Sequence, residues 1–373
     1  MPKTKAPLPA DGFITRPLSI CLDMLRAAAA MVVLVFHAAQ IGFYTGPFPK
    51  WPMAQHYAVV VFFVLSGLVI TASVQRRRSN LSDYALSRAA RILPASILSL
   101  AFATIAFAVA TGLGASPLHS DTYGELTHTG TLLPLLFLSE SPFGAGPVWN
   151  PPYWSLCYEV WYYVLFGIAV FLRGGARLFW LAVAALLAGP KILLMMPVWL
   201  VGVALANLRA ARRVNAWQGA LLLAAGLAAA WLQTGLVRPA AIFQRELIGS
   251  FLPHTGFSKF ALSDLALALA VAVSFIGLRP LAERIPRLLE RCARPAHLLA
   301  AFSFTLYLFH WPLLNLLKSA HVAPGNSLAG FVLLVLGVIG VCYMISLVTE
   351  RHRDTARTWL DALFRQNRAQ VDF

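Results

Sequence analysis

The sequence predicts an all-α fold: a polytopic transmembrane helical bundle of about ten spans with both termini cytoplasmic. Three observations predict it. The 373 residues are 59% hydrophobic and 12% charged, with a mean hydropathy of +0.70, whereas soluble domains are about one quarter charged. Apolar runs recur at about 20 residues, the length that crosses a bilayer as a helix. The cations fall in short clusters between those runs, as cytoplasmic loops do. That placement also excludes nucleic-acid binding as the reason for the net charge of +15.

The predicted spans are about 20–43, 54–74, 94–113, 153–172, 178–190, 192–208, 217–234, 262–278, 297–317 and 328–348. Residues 1–19 form a cytoplasmic tail, 20–349 the membrane-embedded domain and 350–373 a basic cytoplasmic tail, read as a short helix on the inner surface. The fifth and sixth spans are short and meet at Gly189-Pro190-Lys191; a re-entrant hairpin is the other reading. Thr131–Ser139 is apolar but too short to span, so it is interfacial or packed against the bundle. With ten spans, 23 of the 30 Lys and Arg residues fall on the inner side and six on the outer, Arg26 being within a span. That bias orients the chain N-in and C-in. The first apolar run carries Asp23, Arg26 and His37 and lacks a cleavage site, so it is a span and not a signal peptide. Cys21, Cys157, Cys292 and Cys342 have no metal-ligand spacing, and no metal site or disulfide framework is expected.

Ionisable groups inside a membrane are costly, so each is a functional candidate. Arg26 and His37 are eleven residues apart, which puts them on one helix face about 16 Å apart along the axis. Asp23 lies one turn before Arg26. Glu159 sits inside the fourth span after Trp154 and Ser155. His310 precedes Trp311 and Pro312; because proline removes a helical hydrogen bond, His310 can also serve to satisfy a freed carbonyl. Ser66-Gly67 suits close helix packing. Arg88 and Arg91 share a helix face, and arginine suits phosphate through its two-pronged fork. Arg76-Arg77-Arg78 is explained by lipid headgroups.

Together these segments resemble the acyltransferase 3 family of bacterial membrane O-acyltransferases. The resemblance rests on Leu22-Asp23-Met24-Leu25-Arg26 to His37, on Phe62-Phe63-Val64-Leu65-Ser66-Gly67 and on Arg88-Ala89-Ala90-Arg91-Ile92-Leu93-Pro94. It continues through Trp154-Ser155-Leu156-Cys157-Tyr158-Glu159 with Tyr162-Tyr163, and Ser303 to Pro312. The family's late Glu-Lys-Pro stands here as Glu350-Arg351-His352. The chain ends too soon for the fused hydrolase-like domain of larger members.

The resemblance implies a multi-pass protein of the bacterial inner membrane. It would move an acyl group, acetyl by default, from acyl-CoA to a hydroxyl of a carbohydrate or glycosylated acceptor, with no bound cofactor. Arg26, Arg88 and Arg91 would hold the CoA phosphates, with Asp23 positioning Arg26. His37 would be the base or an acyl carrier; Ser66 or His310 would polarise the thioester. Glu159, which also counts among the catalytic candidates, and Trp154 would grip the sugar, with Tyr158, Tyr162 and Trp311 completing the acceptor site. Membrane lipids are the remaining partner. The alternative is a proton-coupled transporter or exporter using the same intramembrane groups.

Overall fold

The computed structural model describes residues 12–48, 53–77, 80–114, 126–142, 144–252 and 255–350, with 355, 358 and 361. The predicted N-terminal tail before residue 12, Arg78 and nearly all of the basic C-terminal tail lie outside the described residues. The described chain is all-α: α1 Arg16–Gln40, α2 Ala54–Arg77, α3 Leu81–Gly112, α4 His128–Leu135, α5 Trp154–Phe171, α6 Gly174–Asn207, α7 Ala216–Leu232, α8 Val237–Ile248, α9 Ala261–Ala282, α10 Pro286–Ser319 and α11 Leu328–Thr349. Among the described residues, nine helical stretches are long and apolar enough to cross a membrane.

The predicted fifth and sixth spans are both within α6. Gly189 breaks that helix, with φ 80° and ψ 171°, a conformation open essentially to glycine alone. A Cβ at Gly189 would sit 2.6 Å from Pro142 Cδ, in the segment between α3 and α5. Lys191 O accepts from Ser258 Oγ at 2.7 Å, in the segment between α8 and α9. Asn207 Oδ1, at the far end of α6, accepts from Gln75 Nε2 at 2.8 Å, at the inner end of α2. Gly189 thus divides α6 where the fifth and sixth predicted spans meet, and nine apolar stretches among the described residues stand against ten predicted spans.

The chain forms two compact units. The first comprises Met1–Ala29, His56–Ser79 and Pro190–Ala300. In it, α2 meets the second half of α6 at Gly67 and Gly202, where an added Cβ would lie 2.3 Å from Trp199 O and 2.1 Å from Val64 O. Small residues let membrane helices approach this closely. Arg279 donates to Arg212 O at 2.7 Å, and Arg16 pairs with Glu290 at 2.9 Å.

The second unit comprises Ala30–Gln55, Asn80–Gly189 and Ala301–Phe373. The short α4 packs against α3 and is tied to the α5 segment, which fits one of the two sequence readings of Thr131–Ser139, packing against the bundle. Tyr153 donates to Pro134 O at 3.0 Å and Trp161 to Phe137 O at 2.9 Å. Tyr84 of α3 donates to Tyr163 O of α5 at 3.0 Å. Glu350 Oε1 accepts from Thr305 Oγ1 at 3.3 Å, docking the end of α11 on α10.

Candidate active site

α1 brings His37 to its last turn, and α10 sets His310 beside it in the second unit. His37 Nδ1 lies 2.9 Å from His310 Nε2. The two ring planes differ by 1° with centroids 5.2 Å apart. That separation matches one hydrogen bond plus two ring radii, so the rings lie edge to edge in one plane and do not stack. His310 is fully buried and His37 partly so. Trp311 covers the pair, its ring at 4.7 Å and 85° to His37.

The neighbours of His310 fix the tautomers. Its Nδ1 faces the carbonyls of Tyr307 at 2.7 Å and Leu306 at 3.2 Å. Carbonyls only accept, so Nδ1 carries the proton and Nε2 of the neutral ring presents a lone pair. His37 Nδ1–H donates to that lone pair. His37 Nε2 is left with an unprotonated nitrogen, the form a general base needs. Among the described residues, no carboxylate is hydrogen-bonded to the pair.

The carbonyl freed by Pro312 is Leu308 O, four residues back. Asn150 Nδ2 occupies it at 3.2 Å. The sequence reading that His310 satisfies a freed carbonyl is thus corrected: His310 bonds two carbonyls of the preceding turn, and Asn150 repairs the break. Ser155 Oγ lies 2.6 Å from Tyr307 OH, which donates to Pro152 O at 3.0 Å. These bonds tie the start of α5 to α10.

The arginine pair sits in the same unit. Arg88 lies over the ring of Tyr163, 5.9 Å from its centroid. The Tyr163 hydroxyl donates to Glu159 Oε1. Arg88, Tyr84, Tyr163 and Gly167 border a largely apolar cavity of about 310 Å³ between α3 and α5. Farther along α3, Phe102 packs on Phe309 at 5.7 Å, next to His310. Fourteen residues of helix separate Arg88 from Phe102 and eleven separate Arg91, so the two arginines lie about 21 Å and about 16 Å along α3 from the level of the histidine pair. Glu159 thus engages the arginine side of the unit through Tyr163.

Trp154 is buried edge-on to Tyr158 at 5.1 Å, and Tyr158 to Tyr162 at 6.3 Å, both tyrosines fully buried. In the first unit, Asp23 Oδ2 lies 3.5 Å from His297 Nδ1. Ser66 Oγ accepts from Trp199 Nε1 at 3.2 Å, within the close α2–α6 contact. Arg26 lies eleven residues before His37 on the unbroken α1. Arg76, assigned from the sequence to lipid headgroups, also lines a cavity of about 220 Å³ with Gln75 and Arg212.

Sequence reasoning missed a buried pair in the first unit. His56 Nε2 lies 2.8 Å from Asp264 Oδ2, both less than 6% exposed. Phe257 and Phe260 enclose His56 at 5.9 and 5.4 Å. Asp264 was legible as an ionisable group at the start of a span, and its partner 208 residues away was not.

Among the described residues, no group of three or more His, Cys, Asp or Glu side chains is placed to hold a metal ion. A family model described as an acyltransferase domain matches residues 19–347 of the 373. No curated protein and no solved structure matches the chain.

Proposed function

Since the chain belongs to the acyltransferase 3 family, we propose that it transfers an acyl group, acetyl in the first instance, from acyl-CoA to a hydroxyl of a carbohydrate or glycosylated acceptor. The bacterial cytoplasmic membrane is the compartment this reading requires. The hydrogen-bonded pair of His37 and His310 carries the proposal, because it leaves one imidazole nitrogen unprotonated beside a tryptophan in the interior of a membrane bundle.

Arg88 and Arg91 hold the donor's phosphates near the inner surface, where a guanidinium fork makes charge-assisted bonds to phosphate; Arg26, with Asp23 one turn before it, remains a donor-binding candidate from the first unit. The long pantetheine arm then carries the thioester outward over the distance that separates Arg88 from the histidines. The acceptor hydroxyl donates to His37 Nε2. As its oxygen attacks the thioester carbon, His37 takes the proton, and His310 Nε2 stabilises the imidazolium by accepting from Nδ1. The carbon–sulfur bond breaks, and the proton passes to the departing thiolate, giving the ester and free CoA. Trp311, Trp154, Tyr158 and Tyr162 enclose the acceptor. Glu159 orients Tyr163 beneath Arg88 and so acts as a positioning residue for the donor.

The test is label transfer. Membranes containing the chain, given acetyl-CoA labelled in the acetyl group, should place label on glycan in a form released by mild base. Proton-dependent solute uptake into vesicles with no label transferred would sink the enzyme reading and favour transport.

A further inference from the structure

The outer end of α10 carries polar groups that the reaction scheme does not use. Asn315 is 1% exposed, and neither Oδ1 nor Nδ2 has a hydrogen-bond partner among the described residues. A buried, unpaired amide in a membrane bundle is expensive, since no water competes to satisfy it. Asn315 lies one turn beyond Trp311 and about 40° around the helix from it, and Trp311 packs on His37. One turn farther out, the buried Oγ of Ser319 also has no partner among the described residues.

The neighbouring chain adds to this. Asn150 is tied through Nδ2 to Leu308 O, yet its Oδ1 is unpartnered among the described residues, as is Trp149 Nε1. Both residues are at most 1% exposed. The hydrophobic cluster that contains Trp149 packs on Leu316, so Val148–Asn150 runs beside α10 where Asn315 is found. Four neutral groups with unspent hydrogen-bonding capacity therefore border the outward side of the histidine pair, all within one unit. Each offers an amide, a hydroxyl or an indole N–H, and none offers a charge.

We infer that Asn315 is an acceptor-binding residue that takes a hydroxyl adjacent to the reacting one, with Asn150 Oδ1 and Trp149 Nε1 as further contacts. The ligand class is a neutral polyol with hydroxyls on neighbouring carbons. A carboxamide suits it, because one side chain both donates to and accepts from a hydroxyl. The inference rests on the carbohydrate reading above and narrows it to an uncharged, vicinally hydroxylated face.

The experiment uses the full chain in detergent with acetyl-CoA, methyl hexopyranosides and their monodeoxy analogues, comparing wild type with Asn315→Leu. Wild type should prefer an intact glycoside over one of its deoxy analogues by about tenfold or more, as sites built to bond a hydroxyl do. Asn315→Leu should handle that pair alike and melt no lower than wild type, because it removes an unpaired amide without opening a cavity. A retained preference in the variant overturns the assignment. So does a markedly lower melting temperature, which would make the amide a structural partner. A wild type that acetylates the glycosides without regard to any missing hydroxyl overturns it as well, while a wild type that acetylates none of them defeats the carbohydrate reading itself.

Discussion

His37 Nδ1 and His310 Nε2 lie 2.9 Å apart in coplanar rings, although 273 residues separate them in the chain. The direction of that bond is set from behind, by the carbonyls of Tyr307 and Leu306 on His310 Nδ1. Replacing His37 by Ala should lower kcat by about 10²–10⁴-fold, the usual contribution of a positioned base. His310→Ala should cost about 10²-fold or more in kcat with the donor KM little changed, because a base in the wrong tautomer is present but unproductive. Steady-state kinetics on both variants checks this. A His310→Ala enzyme of wild-type kcat would remove the pair from the mechanism.

Arg88→Ala should raise the donor KM by about tenfold or more, the worth of a hydrogen bond to a charged group. Arg88→Lys should recover little of it, since an ammonium cannot reproduce the two-pronged geometry. Varying acetyl-CoA at saturating acceptor measures the effect. An acceptor KM that moves while the donor KM stays fixed would reassign Arg88.

Asn150→Leu should destabilise the fold by about 1–3 kcal/mol, because it strands Leu308 O beside Pro312 without a donor. Thermal melting in detergent reads this out. The companion change Pro312→Ala, which restores a backbone N–H in α10, should recover part of the loss in the double variant. Independent, additive effects would show that the two residues do not act on the same carbonyl.

Gly189→Ala should destabilise by about 1–3 kcal/mol, since alanine at φ 80° is strained and its Cβ meets Pro142. The same geometry predicts topology. A cysteine placed at position 191 should react with a membrane-impermeant maleimide from outside the cell, and one at position 175 only after permeabilisation. Equal protection of both would mean that α6 crosses once.

The spans were legible from hydropathy because a bilayer imposes one length on every crossing. The expected orientation rests on arginine placement for a related reason, the cost of moving charge across the membrane. The break at Gly189 was also legible, since glycine before proline is a poor helix interior. The eleven-residue spacing of Arg26 and His37 survives because α1 is unbroken. Contacts between distant segments were not legible. Nothing local in Tyr307-Leu308-Phe309-His310 says that its imidazole meets one on α1. Likewise nothing in Trp149-Asn150 says that Asn150 repairs a carbonyl of α10. Asp23 meets His297 at 3.5 Å, a residue 274 positions away in the sequence. Periodicity reports which face of a helix is special, and only packing reports what that face touches.

A base and its supporter that are both uncharged imidazoles place no fixed charge at the depth where the voltage across the membrane drops. An elementary charge held there would exchange about 2.3 kcal/mol with each 100 mV of potential. The neutral resting pair gives that field nothing to pull on; in the proposed step a charge appears there only when His37 takes the acceptor's proton.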